Sequence, residues 1–135
     1  MEHHWPIRVY YEDSDASGVV YHARYLHFFE RARTELLRAA GFSQQQLIDE
    51  AQVAFTIARI SVDYRRPARL DDALEVRSSI RAGRALIEFQ QGLYRTSSGE
   101  LLATAAVKAG CVGLPEFSPV RIPEPIAHAL KAFSA

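Results

Sequence analysis

The stretch DSDASGVVYHARYLHFFE, residues 13–30, joins a polar loop to an apolar helix and decides how the chain folds. Residues 13–18 are rich in Asp, Ser and Gly, a composition that is typical of a turn or loop. We predict a long helix that begins at Tyr21, and Gly41 is expected to cap its end in a left-handed conformation. The prediction rests on apolar residues that recur at helical spacing in one wide stripe: Tyr25, Phe28, Phe29, Ala32, Leu36 and Ala40.

The remaining sequence predicts a sheet that packs against this helix. Alternating residues indicate strands at 53–64 and 74–81, and aromatic and β-branched residues indicate one at 6–12. Residues 85–95 and 101–113 are predicted to form two further strands. The consecutive strands after the helix, joined by short turns such as the one at 97–99, are expected to pair antiparallel. The helix must bury its apolar face against them, so the fold class is α+β. An uncovered sheet edge favours association with a second copy.

Two short helices complete the expected elements. Ser43, with Gln46 three residues later, resembles a capping box and predicts a short helix that ends near Glu50. Residues 125–133 follow a proline-rich segment and are predicted to form a closing helix.

Composition places the chain among ordinary globular proteins. Its 135 residues fit one domain, and its 16 basic and 16 acidic side chains give a net charge of zero. This balance argues against long nucleic acid as a partner. The single Cys111 excludes a disulfide within the chain, which fits a reducing compartment. No apolar run reaches the roughly 18 residues that span a membrane, so we expect a cytoplasmic protein.

The polar loop carries the strongest candidates for catalytic residues. Asp15 precedes the helix, and Gly18 allows the backbone to turn tightly or to approach a ligand. The unpaired N–H groups of a helix start near Val20–His22 would stabilise negative charge on a carbonyl oxygen. A carboxylate with such donors suffices to hydrolyse an activated acyl group. An Asp before a helix is most often an N-cap, however, and the spacing alone favours that structural alternative.

The segment RVYYEDSDASGVVYHARYLHFFERAR, residues 8–33, resembles the signature of the 4-hydroxybenzoyl-CoA thioesterase group of hotdog-fold enzymes. Within that group it is most similar to the YbgC type, the acyl-CoA thioesterases associated with the Tol-Pal system. The resemblance continues through RRPARLDDALEV, residues 65–76, and covers nearly the whole chain. It implies a single hotdog thioesterase domain over residues 1–135, with an antiparallel sheet of about five strands wrapped around one long central helix.

The resemblance also implies an activity and an assembly. The expected reaction is hydrolysis of acyl-CoA or acyl carrier protein thioesters to the acid and the free thiol. No metal or redox cofactor is implied. The expected assembly is a homo-oligomer, either a dimer or a tetramer made of two dimers.

Individual site residues follow from the same resemblance. Asp15 would be the catalytic nucleophile or general base. The backbone N–H of His22 would polarise the thioester carbonyl. The His22 side chain would orient the substrate, form a hydrogen bond near Asp15, or have only a structural role. Ser14 stands where the family commonly has Thr or Cys. The remaining candidates would contact the acyl group or the phosphates of coenzyme A, the last three being weaker: Gly18, Val19, Tyr21, Tyr11, Arg84, Arg65, Arg66 and Arg69.

Other functions stay open or lack support in the sequence. A hydroxyacyl thioester dehydratase on the same fold is one alternative, and a non-catalytic acyl-binding or envelope-associated interaction protein is another. The positions of His22, His27 and Glu30 do not match a zinc-binding pattern. The chain lacks a G-x-S-x-G elbow, which argues against a serine hydrolase. Cys111 lies in a predicted strand, where a small core residue is expected.

Overall fold

The computed structural model describes all residues, 1–135. A central helix, α1, and two shorter helices accompany five long strands and one short strand. In chain order the elements are β1 His3–Arg8, α1 Arg24–Ala39, α2 Gln44–Gln46, β2 Val53–Tyr64, β3 Ala73–Ala82, β4 Leu86–Arg95, β5 Leu101–Gly113, β6 Ser118–Pro119 and α3 Glu124–Leu130. Helix α2 continues into a π-helical turn, Leu47–Ala51, and a 3-10 turn, Lys131–Phe133, follows α3.

All strand pairs are antiparallel, and the long strands lie in the order β1-β3-β4-β5-β2. The short β6 pairs with the end of β5. This arrangement confirms the predicted sheet, and the predicted strand 53–64 matches β2 residue for residue. Strands β1 and β2 form the two edges, so β2 is free on its outer side.

Helix α1 packs against β1, β3 and β4, and the sheet curls around it. Its predicted stripe faces this core, because all members except the half-buried Ala40 are buried. Burial of Phe28 and Phe29, both 0% exposed, contributes about 1.5–3 kcal/mol each to holding the helix on the sheet. None of the helices has both the length and the apolar character needed to traverse a lipid bilayer.

The predicted first strand, 6–12, is wrong in its bounds. Strand β1 spans His3–Arg8 and pairs with β3, and the chain then forms a 3-10 turn at Tyr11–Asp13. The buried Asp13 carboxylate accepts a hydrogen bond from Tyr10 N–H at 2.9 Å, while Asp13 N–H donates to Tyr10 O at 3.0 Å. These paired bonds favour the turn over the strand that the apolar pattern predicts.

The predicted start of the long helix at Tyr21 is also wrong, because α1 begins at Arg24. Val20 N–H donates to Ala68 O at 2.8 Å, and Tyr21 N–H donates to Asp13 O at 3.0 Å. These tertiary bonds hold both residues in the loop. The spacing of apolar side chains carries no information about such bonds, since they involve only the backbone.

The predicted caps and turns are largely confirmed. Gly41 has φ +103° after the end of α1, and Gly99 has φ +74° in the β4–β5 turn. Ser43 Oγ accepts from Gln46 N–H at 3.1 Å, as expected for the start of α2. The capping box is incomplete, because the Gln46 side chain donates to Glu50 at 3.1 Å. The closing helix is present as α3 with its following 3-10 turn.

Candidate active site

The loop between β1 and α1 folds into a tight turn around Asp15. Asp15 N–H donates to Val19 O at 2.9 Å, and Gly18 N–H donates to Asp15 O at 3.2 Å. Gly18 adopts φ +82°, a left-handed conformation that residues with a Cβ rarely adopt. The predicted role of Gly18 in a tight turn is therefore confirmed.

The Asp15 side chain is exposed, and its only hydrogen-bond donors belong to Ser17. The Ser17 hydroxyl, followed by the Ser17 backbone N–H at 2.8 Å, lowers the pKa of Asp15 below its usual range. Asp15 is thus a carboxylate at neutral pH, with Oδ2 free of intramolecular bonds. Since α1 begins at Arg24 and its N-cap is Ala23, the proposed N-cap role for Asp15 is wrong.

The chain between this loop and α1 presents an unused backbone donor. The N–H of His22 donates to no acceptor in the protein. The peptide unit that contains this N–H is held in place, because its carbonyl, Tyr21 O, accepts from Arg24 N–H at 2.9 Å. A fixed, unpaired N–H beside the start of a helix is suited to bind a developing oxyanion.

A second segment, residues 67–72, supports the loop from the side. Ala68 accepts from Val20 N–H, and its own N–H donates to the Tyr25 hydroxyl at 2.9 Å. Leu70 N–H donates to Gly18 O at 3.2 Å, and Val19 bridges to Arg69. The two segments that carry the family resemblance are therefore in direct contact.

A surface cleft of about 270 Å³ opens beside His22. It brings together the predicted site residue His22 and two of the weaker candidates, Arg65 and Arg66. The cleft is lined by Val20, His22, Tyr25, Tyr64, Arg65, Arg66 and Pro67.

Tyr64 is a member of this cleft that the sequence analysis did not identify as a site residue. Its hydroxyl donates to the carbonyl oxygen of His22 at 2.7 Å. The strand pattern predicted the place of Tyr64 at the end of β2, but nothing in the local sequence connects it with His22.

The other predicted residues lie at different distances from the loop. Tyr21 and Tyr11 are 49% and 82% exposed, and the Tyr21 ring centroid lies 4.4 Å from that of His22. Arg84 is exposed in the β3–β4 turn. Strand β3 separates this turn from residues 67–72, and ten residues of strand span roughly 33 Å. Arg84 and Asp15 of the same chain therefore lie far apart.

A second cavity, of about 280 Å³, lies between the middle of α1 and the sheet. Its wall is mostly apolar, with the buried Arg33 at one side. The lining residues are Glu30, Arg33, Thr34, Leu37, Gln44, Phe55, Ile57, Ile87, Phe89 and Ala109.

An antiparallel sheet curled around one long helix is the hotdog fold, which this chain shares with solved thioesterase structures. The chain belongs to the thioesterase superfamily, whose family model matches residues 17–102. It is accordingly a thioester hydrolase.

Individual relatives support this assignment over most of the chain. The acyl-CoA thioesterase YbgC of Haemophilus influenzae is 49% identical over 93% of this chain and 91% of its own length. The acyl-CoA thioester hydrolase YbgC of Escherichia coli O157:H7 is 46% identical, with 94% of each chain covered. The solved structure of a 1,4-dihydroxy-2-naphthoyl-CoA thioesterase from Synechocystis has a TM-score of 0.90 at 27% identity, covering 97% of this chain and 96% of its own. The resemblance to the YbgC type is confirmed.

Proposed function

We propose that the protein hydrolyses acyl-CoA thioesters, with Asp15 as the reacting carboxylate and His22 N–H as the oxyanion donor. The observation that carries this proposal is that one short loop holds both an ionised, exposed Asp15 and the unused N–H of His22. Relatives that are 46–49% identical carry the names acyl-CoA thioesterase and acyl-CoA thioester hydrolase, which supports coenzyme A as the carrier.

Two courses of reaction fit an ionised Asp15. As a nucleophile, its oxygen adds to the thioester carbonyl, the C–S bond breaks, coenzyme A leaves as thiolate, and water hydrolyses the acyl anhydride. As a general base, Asp15 takes a proton from water while the water oxygen adds to the carbonyl, and the departing thiolate accepts that proton. Each course forms an oxyanion that the His22 N–H would stabilise.

The surrounding residues divide between the two parts of the substrate. Gly18, Val19 and Tyr21 lie on the loop beside Asp15 and would contact the acyl thioester. Arg65 lines the cleft next to His22 and would bind a phosphate of coenzyme A, a group that a guanidinium recognises well.

A homodimer through β2 would complete the site. The free edge of β2 exposes apolar side chains, with Ile57 51% and Ile60 36% exposed, and such edges favour strand pairing. A two-fold antiparallel pairing of β2 with its copy places opposite ends of the two sheets side by side. Arg84 of one protomer would then approach the Asp15 end of the other, which supports its candidacy for coenzyme A binding. Two such dimers would form the expected tetramer.

The same proposal covers the remaining expectations about the chain. Residues 1–135 would form one domain, because the central helix and the five long strands share a single core. The protein would act in the cytoplasm, where its free, buried Cys111 would remain reduced.

A thiol-release assay over a panel of acyl-CoA chain lengths tests the proposed function. Wild-type protein is expected to release free thiol, whereas Asp15→Asn loses turnover and retains substrate binding. Glu116→Gln, which removes an exposed carboxylate far along the chain, is the matched control. An enoyl product from hydroxyacyl-CoA would favour the dehydratase, and tight binding without thiol release would favour the binding protein. Near-wild-type rates for Asp15→Asn would refute the role of Asp15.

A further inference from the structure

The carbonyl of His22 is bonded by a side chain distant in sequence. The Tyr64 hydroxyl donates to His22 O at 2.7 Å across 42 residues of chain. The helix itself makes no use of this carbonyl, because Leu26 N–H donates to Ala23 O at 3.2 Å. Tyr64 is therefore the sole donor to His22 O within the protein.

No other side chain stabilises the start of α1 through its backbone. The N-cap residue, Ala23, has no side-chain cap. The preceding residue, Tyr21, is held by its backbone on both sides, through Asp13 O and Arg24 N–H. The bond from Tyr64 fixes the next peptide unit, between His22 and Ala23. Both peptide planes that flank the His22 Cα are thus fixed.

Tyr64 is itself well placed to serve as a rigid donor. Its ring packs edge-to-face against Tyr25, with 5.0 Å between ring centroids. Tyr25 is buried, and its own hydroxyl accepts from Ala68 N–H, so it forms a firm support. Loss of solvent, with a smaller contribution from Tyr25, raises the pKa of Tyr64. The phenol therefore keeps its proton throughout the neutral range.

We infer that Tyr64 is a positioning residue that aims the His22 N–H at the thioester carbonyl oxygen. This inference rests on the proposed oxyanion role of His22 and adds to it the residue that sets the direction of the donor. Oxyanion stabilisation depends on a donor that lies within roughly 0.5 Å of the productive geometry. Tyr64 acts through the backbone of His22 and forms no bond with the reacting atoms.

The physical consequence of losing this hydroxyl is a change in the first turn of α1. His22 O would become free to accept from Leu26 N–H, the ordinary i−4 bond of an α-helix. The helix would then extend by a residue toward its N-terminus, and the turn of the His22–Ala23 peptide about the His22 Cα would disturb the neighbouring Tyr21–His22 peptide that carries the N–H. The N–H would remain present but would point away from the position of the developing oxyanion.

The test compares Tyr64→Phe with a control variant, Tyr94→Phe. Tyr94 lies on β4, and its hydroxyl has no hydrogen-bond partner. In acyl-CoA hydrolysis, kcat of Tyr64→Phe is expected to fall about 10- to 100-fold, less than for complete removal of an oxyanion donor. KM is expected to stay within about twofold, because ground-state binding is unchanged. The backbone amide resonance of His22 is expected to shift in Tyr64→Phe alone.

Two outcomes would overturn the inference. A kcat within about twofold of wild type would show that the His22 N–H needs no help from Tyr64. A raised KM at unchanged kcat would instead make Tyr64 a substrate contact in the cleft. The assay is run at a temperature where circular dichroism shows both variants folded. Asp15→Asn distinguishes failure of this inference from failure of the proposed function. If Asp15→Asn is inactive while Tyr64→Phe turns over normally, only the positioning role of Tyr64 is refuted. If Asp15→Asn is fully active, the proposed function is refuted.

Discussion

The guanidinium of Arg33 donates to the side-chain oxygen of Gln91 at 3.0 Å, inside the core between α1 and the sheet. Both side chains are buried, and Arg33 forms no ion pair. Burial lowers the pKa of Arg33, and the nearby charge of Glu30 partly offsets this effect. Gln91 also donates to Phe29 O at 3.1 Å and Ser78 Oγ at 3.0 Å, so one amide joins α1, β3 and β4.

Gln91→Leu is expected to lower the free energy of unfolding by about 3 kcal/mol, because it leaves a buried cation without its acceptor. Chemical denaturation measures the change, and the exposed Gln90→Leu on the same strand is the control. The double variant Arg33→Met, Gln91→Leu is expected to lose less unfolding free energy than the two single variants lose together, by at least about 1 kcal/mol. Strict additivity would show that the two side chains do not act as a pair.

Ser17→Ala is expected to move the acid limb of the pH–rate profile to higher pH. Asp15 must be ionised to react, so activity is lost as pH falls through its pKa. The Ser17 hydroxyl lowers that pKa in the wild type, and its removal returns the pKa toward the ordinary carboxyl range. The profile of kcat/KM against pH measures the limb. Ser97→Ala, in an exposed turn, is the control. An unmoved acid limb in Ser17→Ala would show that activity does not depend on the ionisation of Asp15.

Ile60→Lys is expected to prevent the proposed β2-mediated dimer, since an edge lysine opposes pairing of β2 with its copy. Ile60 is 36% exposed and lines neither cavity, so the fold and the cleft stay intact. Sedimentation gives the oligomeric state, and thiol release shows whether monomers retain activity. Leu86→Lys, 45% exposed but on β4, is the control. An unchanged sedimentation coefficient for Ile60→Lys would place the interface elsewhere.

Local sequence patterns predicted the elements whose burial is periodic. Strand β2 was predicted with its observed bounds, and the buried stripe of α1 was identified, because alternation and helical spacing directly encode the face that lies in the core. The start of α1 was missed because Val20 and Tyr21 bond to distant backbone atoms.

The site was predictable only in part for a similar physical reason. The family resemblance indicated Asp15 and His22, which lie in one loop of continuous sequence. The Tyr64–His22 bond spans 42 residues, and no local pattern encodes it. Arg33 was not predicted in the core, because a guanidinium is rarely buried and the acceptor that permits it, Gln91, lies 58 residues away.

Gly18→Ala is expected to reduce both stability and turnover through backbone strain alone. At φ +82° an added Cβ would meet no atom within 4 Å, so crowding contributes nothing. The left-handed conformation itself costs a residue with a Cβ about 1–2 kcal/mol, and relief of that strain would shift the turn that holds Asp15. Gly18→Asn is expected to retain more of both properties, because asparagine tolerates this conformation better.

Denaturant midpoints and thiol-release rates of the two Gly18 variants provide the measurement. Gly110→Ala is the matched control, since Gly110 lacks a positive φ and its added Cβ would meet Leu86 at an ordinary 3.7 Å. The order of turnover is expected to be wild type, then Gly18→Asn, then Gly18→Ala. Equal turnover in all three would mean that the position of Asp15 does not depend on the left-handed turn at Gly18.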